Sequence, residues 1–332
     1  MKNIKQLTVL GSGAMGFGMA YVVSTNRTAK VRLWDHDLNL VSEIKEKRIN
    51  TKHSIPEIRL PDEVALIADL EEAVEGSDLT LLAVPSFAVR EMSKKLSRFS
   101  PFSLLMISKG MEKETSLLPF QVAEEILGKI NILHLTGAGY GKEVHKKIPT
   151  TEALASKNED LLEEVKEIFE NDWLTIKTST DLLGTQLAGA LKNVMVIGIG
   201  MVLGQRKNSE LRTKLIDEGV QEMITLGQTV RAEEKTFRGP AGKGDLEFSS
   251  VPTSRNFKLG QDLVEKGLEE VQQELIEKGK TVEGLHTAFA VHQLIQKYKV
   301  RLPIVEEVYK VFYEKKDPQS SIKTLLKLVE HA

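Results

Sequence analysis

The stretch Gly11-Ser12-Gly13-Ala14-Met15-Gly16 constrains the fold more than any other part of the chain. Three glycines in the spacing G-x-G-x-x-G stand directly between an apolar run, Leu7-Thr8-Val9-Leu10, and a segment of helical character. A strand that breaks at such a turn and continues as a helix opens a βαβ unit. The first glycine permits the tight turn, the second lets a ligand approach the backbone, and the third lets helix pack on strand. The helix N-terminus then faces any phosphate bound there, so the motif reads as a dinucleotide site contributed by Gly11, Ser12, Gly13, Ala14, Met15 and Gly16. A glycine-rich turn without a ligand is the alternative.

Further short apolar runs follow at Val31–Trp34, Leu79–Val84, Leu104–Ile107 and Ile132–Leu135. They alternate with helix-like spacing at Leu38–Ile49, Leu70–Val74 and Phe120–Leu127. Alternation of this kind predicts an α/β Rossmann-type fold, a doubly wound parallel sheet, over residues 1–180. From Asp181 the strand signal stops, and long helical segments are expected at Thr185–Leu203, Ser209–Leu226, Asp262–Lys278 and Leu285–Tyr298. Residues 181–332 therefore form a second, mostly α-helical domain, in keeping with about 100 to 200 residues per domain. Between its helices, Phe237–Asp245 and Pro252–Asn256 are rich in Gly, Pro, Ser and charge and read as loops that could carry a site.

Composition narrows the partners. A formal charge of −2 has no basic excess for nucleic acid, so the expected partner is a small molecule. The chain has no cysteine, which excludes disulfides and thiolate zinc sites. Its histidines show no H-x-x-x-H pairing, so no metal is expected, and no G-x-S-x-G nucleophile motif is present. The first residues lack the apolar core of a signal peptide, which makes a cytoplasmic location the expectation. The uninterrupted apolar run Val194–Leu203 covers half of the roughly 20 residues that a bilayer-crossing helix needs, so it reads as a buried helix rather than an integral membrane segment.

Two charged residues stand out. Lys192 interrupts the apolar stretch Leu187–Ile197, and a cation held among aliphatic side chains is costly unless something offsets it. A proton donor with a lowered pKa is one reason for such a placement; a lysine reaching to the surface is the other. Asp35 ends the second strand about 20 residues after the glycines, where a carboxylate can bind adenosine ribose hydroxyls and repel a 2′-phosphate. That slightly favours NAD over NADP, with His36 and Arg32 close enough in sequence to soften the preference. An Asp that begins a turn is the plainer reading.

Six short segments, in order, cover nearly the whole chain: Val84-Pro85-Ser86, Ser108-Lys109-Gly110, Gly189-Ala190-Leu191-Lys192-Asn193, Gly242-Lys243-Gly244-Asp245-Leu246, Ser254-Arg255-Asn256 and Val282-Glu283-Gly284. Together with the glycine turn, the chain resembles the NAD(P)-dependent glycerol-3-phosphate dehydrogenases, as a somewhat divergent member of the bacterial type. The resemblance implies reversible hydride transfer between NAD(P)H and dihydroxyacetone phosphate, giving sn-glycerol 3-phosphate. It implies Lys192 as general acid/base, Lys109 orienting the carbonyl, and Asp245 holding Lys192 or a substrate hydroxyl. Ser254, Arg255 and Asn256 would bind substrate, with Arg255 offering a bidentate phosphate grip, and Asn193 would orient the site. Gly137 and Gly139 would lie against substrate. Besides the glycine turn and Asp35, the residues His36, Pro85, Lys109, Gly141, Arg255, Val282 and Glu283 would contact the cofactor, and a homodimer would be common for such a family.

The chain also departs from that family. Residues 136–144 read Thr-Gly-Ala-Gly-Tyr-Gly-Lys-Glu-Val where Gly-Pro-Ser-Phe-Ala-Lys-Glu, or the same with Asn for Ser, is usual, so Gly139 lacks a polar side chain and any substrate contact there uses its backbone N–H or is lost. Lys243 replaces an aliphatic residue and either adds phosphate affinity or faces water. These departures leave two other readings open: a related dehydrogenase for another small phosphorylated or hydroxy-acid substrate, and a dinucleotide sensor without catalysis.

Overall fold

The computed structural model describes residues 4–53, 57–99, 103–139, 141–204, 206, 208–277 and 282–330, with the side chains of 142 and 143 left aside. The chain divides into two compact units. One comprises Met1–Ser108 and Pro119–Leu182; the other comprises Lys109–Leu118 and Leu183–Ala332. The ten residues from Lys109 thus belong to the second unit, although they lie far inside the 1–180 segment.

The first unit is built on eight strands: β1 Gln6–Leu10, β2 Lys30–Trp34, β3 Ala65–Ile67, β4 Leu79–Leu82, β5 Ser103–Met106, β6 Asn131–Gly137, β7 Thr150–Ser156 and β8 Leu174–Ser179, in the order β3-β2-β1-β4-β5-β6-β7-β8. All neighbours are parallel except β6 and β7, which pair antiparallel through Leu135 and Leu154. The helices are α1 Ala14–Asn26, α2 Leu38–Lys47, α3 Leu70–Val74, α4 Val89–Leu96, α5 Pro119–Leu127 and α6 Glu159–Phe169. Strand order and crossovers are those of a doubly wound sheet.

Burial explains which strands the sequence reveals. Every residue of β4 and four of five in β1 are buried, as a central strand covered on both faces requires. Leu7, Val9, Leu33, Leu81, Leu105 and Leu133 from five adjacent strands meet Phe17 of α1 in one core. By contrast β8 buries only Leu174 and Ile176, and β3 has three residues, none of them buried, so neither carries an uninterrupted apolar run.

The second unit holds α7 Leu182–Leu203, α8 Ser209–Thr229, α9 Glu234–Arg238, α10 Asp245–Ser249, α11 Arg255–Lys266, α12 Leu268–Glu277, α13 Glu283–Tyr298, α14 Pro303–Tyr313 and α15 Pro318–Glu330. The single helix expected over Asp262–Lys278 is two helices. Gly267, at φ +87°, turns the chain between α11 and α12, and Lys278 lies outside the described residues. The block read as loop is instead a chain of short helices, α9, a π-helical turn over Pro240–Gly244, and α10, while α11 begins at Arg255.

At its centre α7 is buried on every side, from Thr185 to Val202. Among the described residues it is the one helix long and apolar enough to cross a membrane, and its most apolar window is wholly buried inside the protein, as in a core helix. Glycines bring its neighbours unusually close. A Cβ on Gly260 of α11 would collide with the Ile197 carbonyl oxygen, and one on Gly200 of α7 would collide with the Phe257 carbonyl oxygen. A Cβ on Gly284 of α13 would stand 3.0 Å from the Asn193 carbonyl oxygen. Three helices therefore meet backbone to backbone beside Lys192 and Asn193.

Candidate active site

Lys192 projects from the buried middle of α7 and retains 7% of its surface. Its Nζ lies 3.0 Å from Asp245 Oδ1 and donates to Ser249 Oγ at 2.8 Å. Lys109 Nζ meets the other carboxylate oxygen, Asp245 Oδ2, at 2.6 Å. Asp245 opens α10 and Ser249 follows one helical turn later on the same face, which lets the Ser249 hydroxyl donate to Asp245 Oδ1 at 3.2 Å. Two ammonium groups thus share one buried carboxylate, leaving a net positive charge.

This arrangement sets the proton affinities. Burial lowers the Lys192 pKa to about 8; the Asp245 charge opposes the fall, and the nearby Lys109 ammonium adds to it. Glu283, in the first turn of α13, also favours the charged lysine. Burial pushes the Asp245 carboxyl up, but Lys109 and Lys192 outweigh it and hold the group below the ordinary aspartate range. The result is an ionised carboxylate beside an amine whose pKa, about 8, lies well below that of a free lysine.

An amide relay surrounds the cluster. Asn193 Nδ2 donates to the Lys109 carbonyl at 3.3 Å, and Asn193 Oδ1 accepts from Asn256 Nδ2 at 2.9 Å. Ser254, buried, is the N-cap residue of α11, and Arg255 follows it, exposed and, among the described residues, engaged by no carboxylate or carbonyl. Val282 is the N-cap residue of α13. Lys192, Lys109, Asp245, Asn193 and Asn256 are therefore brought together, with Glu283 near enough to influence Lys192. Lys243 stands apart: its Nζ pairs with Asp217 at 2.8 Å. Ser249 was not among the sequence candidates, although its position four residues after Asp245 is the signal that could have found it.

The glycine turn of the first unit has its own geometry. Gly11 holds φ +108°, and a Cβ there would press on the Ala83 carbonyl oxygen at 2.6 Å. A Cβ on Gly16 would strike the Gly11 carbonyl oxygen, whereas one on Gly13 would meet nothing within 4 Å. Gly13 is also the N-cap residue of α1 and offers no side-chain cap, so the helix N-terminus is open to an anion and the turn fits a dinucleotide pyrophosphate. Gly141 packs so tightly on Ala14 and Met15 that a side chain would collide with the Ala14 carbonyl oxygen. Pro85 is exposed at the start of the 3-10 turn Ser86–Ala88.

Asp35 is buried, and its Oδ2 accepts from both the N–H and the hydroxyl of Ser12 at 2.7 Å. Its Oδ1 accepts from the Asp37 N–H at 2.9 Å and lies 3.0 Å from Nδ1 of the largely exposed His36. Arg32 does not reach this carboxylate; its guanidinium donates to the carbonyls of Glu72, Ala73 and Glu75 at the end of α3.

Gly139 is closely packed within its own unit. Its N–H donates to the Gly137 carbonyl at 3.0 Å, and a Cβ at 139 would stand 2.5 Å from Glu152 Oε1. A buried carboxylate from β7 occupies the space where a side chain at 139 would be. Tyr140 and the side chains of Lys142 and Glu143 lie outside the described residues.

Known proteins share both halves of this layout. A family model for the NAD-dependent glycerol-3-phosphate dehydrogenase N-terminus matches residues 6–162, and the model for its C-terminus matches residues 181–323. A curated relative from Listeria monocytogenes serotype 4a, named glycerol-3-phosphate dehydrogenase (NAD(P)+), is 34% identical over 329 residues, covering 97% of this chain and 96% of its own. One of the same name from Colwellia psychrerythraea is 34% identical, with 98% of each chain covered. The crystal structure of glycerol-3-phosphate dehydrogenase from Coxiella burnetii superposes with a TM-score of 0.89 at 28% identity, covering 98% of this chain and 99% of that one. With both halves matched along nearly the whole length, the chain belongs to the NAD-dependent glycerol-3-phosphate dehydrogenase family.

Proposed function

We propose that the protein catalyses the reversible reduction of dihydroxyacetone phosphate to sn-glycerol 3-phosphate with NADH or NADPH, and that Lys192 moves the proton. The observation that carries this reading is the buried Lys109–Asp245–Lys192 cluster, in which the Lys192 amine has a pKa of about 8. When bound, the reduced nicotinamide supplies the hydride. Negative charge then develops on the former carbonyl oxygen, and Lys192 stabilises it and delivers its proton there. In the oxidising direction neutral Lys192 accepts the hydroxyl proton instead. Asp245 keeps both lysines oriented and does not itself exchange a proton, and Lys109 polarises the carbonyl oxygen.

Arg255, exposed and unpaired among the described residues, grips the substrate phosphate through two parallel N–H donors, with Asn256 and Ser254 beside it. Gly137 and Gly139 lie against substrate. Residues 1–180 carry the dinucleotide through Gly11, Ser12, Gly13, Ala14, Met15 and Gly16, with His36, Pro85 and Gly141 along its length. Asp35 Oδ1 takes an adenosine ribose hydroxyl when exposed His36 turns aside, which favours NAD slightly over NADP. Residues 181–332 carry the chemistry, and Lys109, Arg255, Val282 and Glu283 complete the cofactor contacts. A cytoplasmic homodimer is the form in which we expect the enzyme to work.

Loss of NADH absorbance on mixing with dihydroxyacetone phosphate, run in parallel with NADPH, tests the reading. Tight dinucleotide binding without turnover on this substrate would overturn it and support a sensor. Glu152 beside Gly139 is the specific observation that favours a second reading, a different small phosphorylated or hydroxy-acid substrate. A higher kcat/KM for another member of a short panel of ketoses and keto acids would establish that second reading.

A further inference from the structure

We infer that Asn50 is a positioning residue for dinucleotide binding, acting by clamping the carbonyl of Ser12 while Asp35 holds its N–H and hydroxyl. The inference rests on the reading of the glycine turn as the pyrophosphate site. Ser12 sits between Gly11 and Gly13, the two residues of the turn with the greatest backbone freedom, and every polar group it owns is held by a buried side chain. Its N–H and hydroxyl donate to Asp35 Oδ2 at 2.7 Å, and its carbonyl accepts from Asn50 Nδ2 at 2.6 Å. Asn50 is fully buried, and its Oδ1 accepts from the His53 N–H at 3.1 Å. The amide therefore has one orientation: turned over, it would set oxygen against the Ser12 carbonyl and N–H against N–H.

The consequence follows from peptide planarity. The Ser12 carbonyl and the Gly13 N–H belong to one trans peptide, so they point in opposite directions. Holding the carbonyl on Asn50 aims the Gly13 N–H away from it. Among the described residues Gly13 N–H has no acceptor, and none of their atoms stands within 4 Å of where its Cβ would be. A free donor of fixed direction in an open approach is what a phosphate oxygen needs, and the clamp removes the conformational entropy that two flanking glycines would otherwise lose on binding. Asn50 touches no ligand in this scheme; it acts through Ser12.

The experiment compares wild type, Asn50→Ala and Asn50→Asp. Asn50→Asp keeps an acceptor for His53 but turns a second acceptor toward the Ser12 carbonyl, so it breaks one bond of the pair. Calorimetric titration of the full chain with NAD+ is expected to show affinity weakened about tenfold or more in both variants. In steady-state assays KM for the dinucleotide rises by a similar factor, while KM for the ketone and kcat at saturating dinucleotide stay within about twofold. Wild-type NAD+ affinity in folded Asn50→Ala would overturn the inference, as would a lower kcat with unchanged affinity. Should Asn50→Asp fail to fold, Asn50→Ser beside Asn50→Ala gives the same comparison. Absence of NAD+ binding by wild type would sink the reading of the glycine turn itself, and the clamp with it.

Discussion

Lys192 Nζ lies 3.0 Å from Asp245 Oδ1, and Asp245 Oδ2 is held at 2.6 Å by a second ammonium, that of Lys109. A buried carboxylate with one cation on each oxygen stays ionised, so the variable charge of the cluster belongs to Lys192. Removing one partner of such a pair leaves the other charge uncompensated, whereas the second lysine here preserves a counter-ion for Asp245.

Lys192→Met is therefore expected to fold. It should lower kcat by about 100-fold to 10,000-fold, the range typical of a lost general acid. NAD+ affinity by calorimetry should stay within about threefold of wild type. Turnover close to wild type would remove Lys192 from the proton transfer.

The pKa of about 8 gives the two reaction directions opposite pH profiles. Ketone reduction needs the ammonium, so its kcat/KM falls as pH rises through about 8. Alcohol oxidation needs the free amine, so its kcat/KM rises across the same interval. Initial rates in both directions between pH 6 and 10 check this (roughly the span of two decades of ionisation either side), and matching profiles in the two directions would contradict it.

Two glycines should separate binding from packing. Gly13→Ala places a methyl group in open space at φ −58°, so the melting temperature should hold while NAD+ affinity drops by about tenfold or more. Gly260→Ala drives a methyl group into the Ile197 carbonyl where α7 and α11 touch, and should cost about 1 to 3 kcal/mol of stability. Thermal melts and titrations of the two proteins give the contrast.

Glu222 provides a pH-dependent stability test away from the cluster. It is buried, it accepts from the backbone N–H groups of Ile304 and Val305 at the start of α14, and burial holds its carboxyl well above the ordinary range despite those bonds. A raised folded-state pKa means the folded protein retains a proton that the unfolded chain releases. Stability from this group is full below the unfolded pKa of about 4.5 and is lost as pH rises through the folded value. Glu222→Gln should therefore gain stability relative to wild type as pH rises from near 4 (about the unfolded glutamate pKa) to near 8, read as a Tm difference that moves in its favour. A Tm difference that moves against Glu222→Gln over that interval would reverse the assignment.

The legible parts of the chain are those whose signal is local. Strands β1, β4 and β5 announce themselves because both faces are covered, so their residues are apolar in succession. The break at Gly267 is not legible in the sequence because helical spacing continues on both sides of it, and its positive φ separates α11 from α12. The block from Phe237 to Asn256 reads as loop because Gly and Pro crowd it, yet a π-helical turn accommodates them between two short helices.

The sequence by itself determined the glycine turn, the alternation that makes a parallel sheet, the shift to helices near residue 181 and the anomaly of a lysine inside an apolar helix. Each of these is a pattern carried by neighbours along the chain. Tertiary structure alone decided which charges meet: Lys109 and Asp245 are 136 residues apart, Ser12 and Asp35 are 23 apart, and Glu152 fills the space beside Gly139 from another strand. Such pairings depend on how helices and strands stack, and a low-dielectric interior makes each one worth far more than it would be in an unfolded chain, where water screens it.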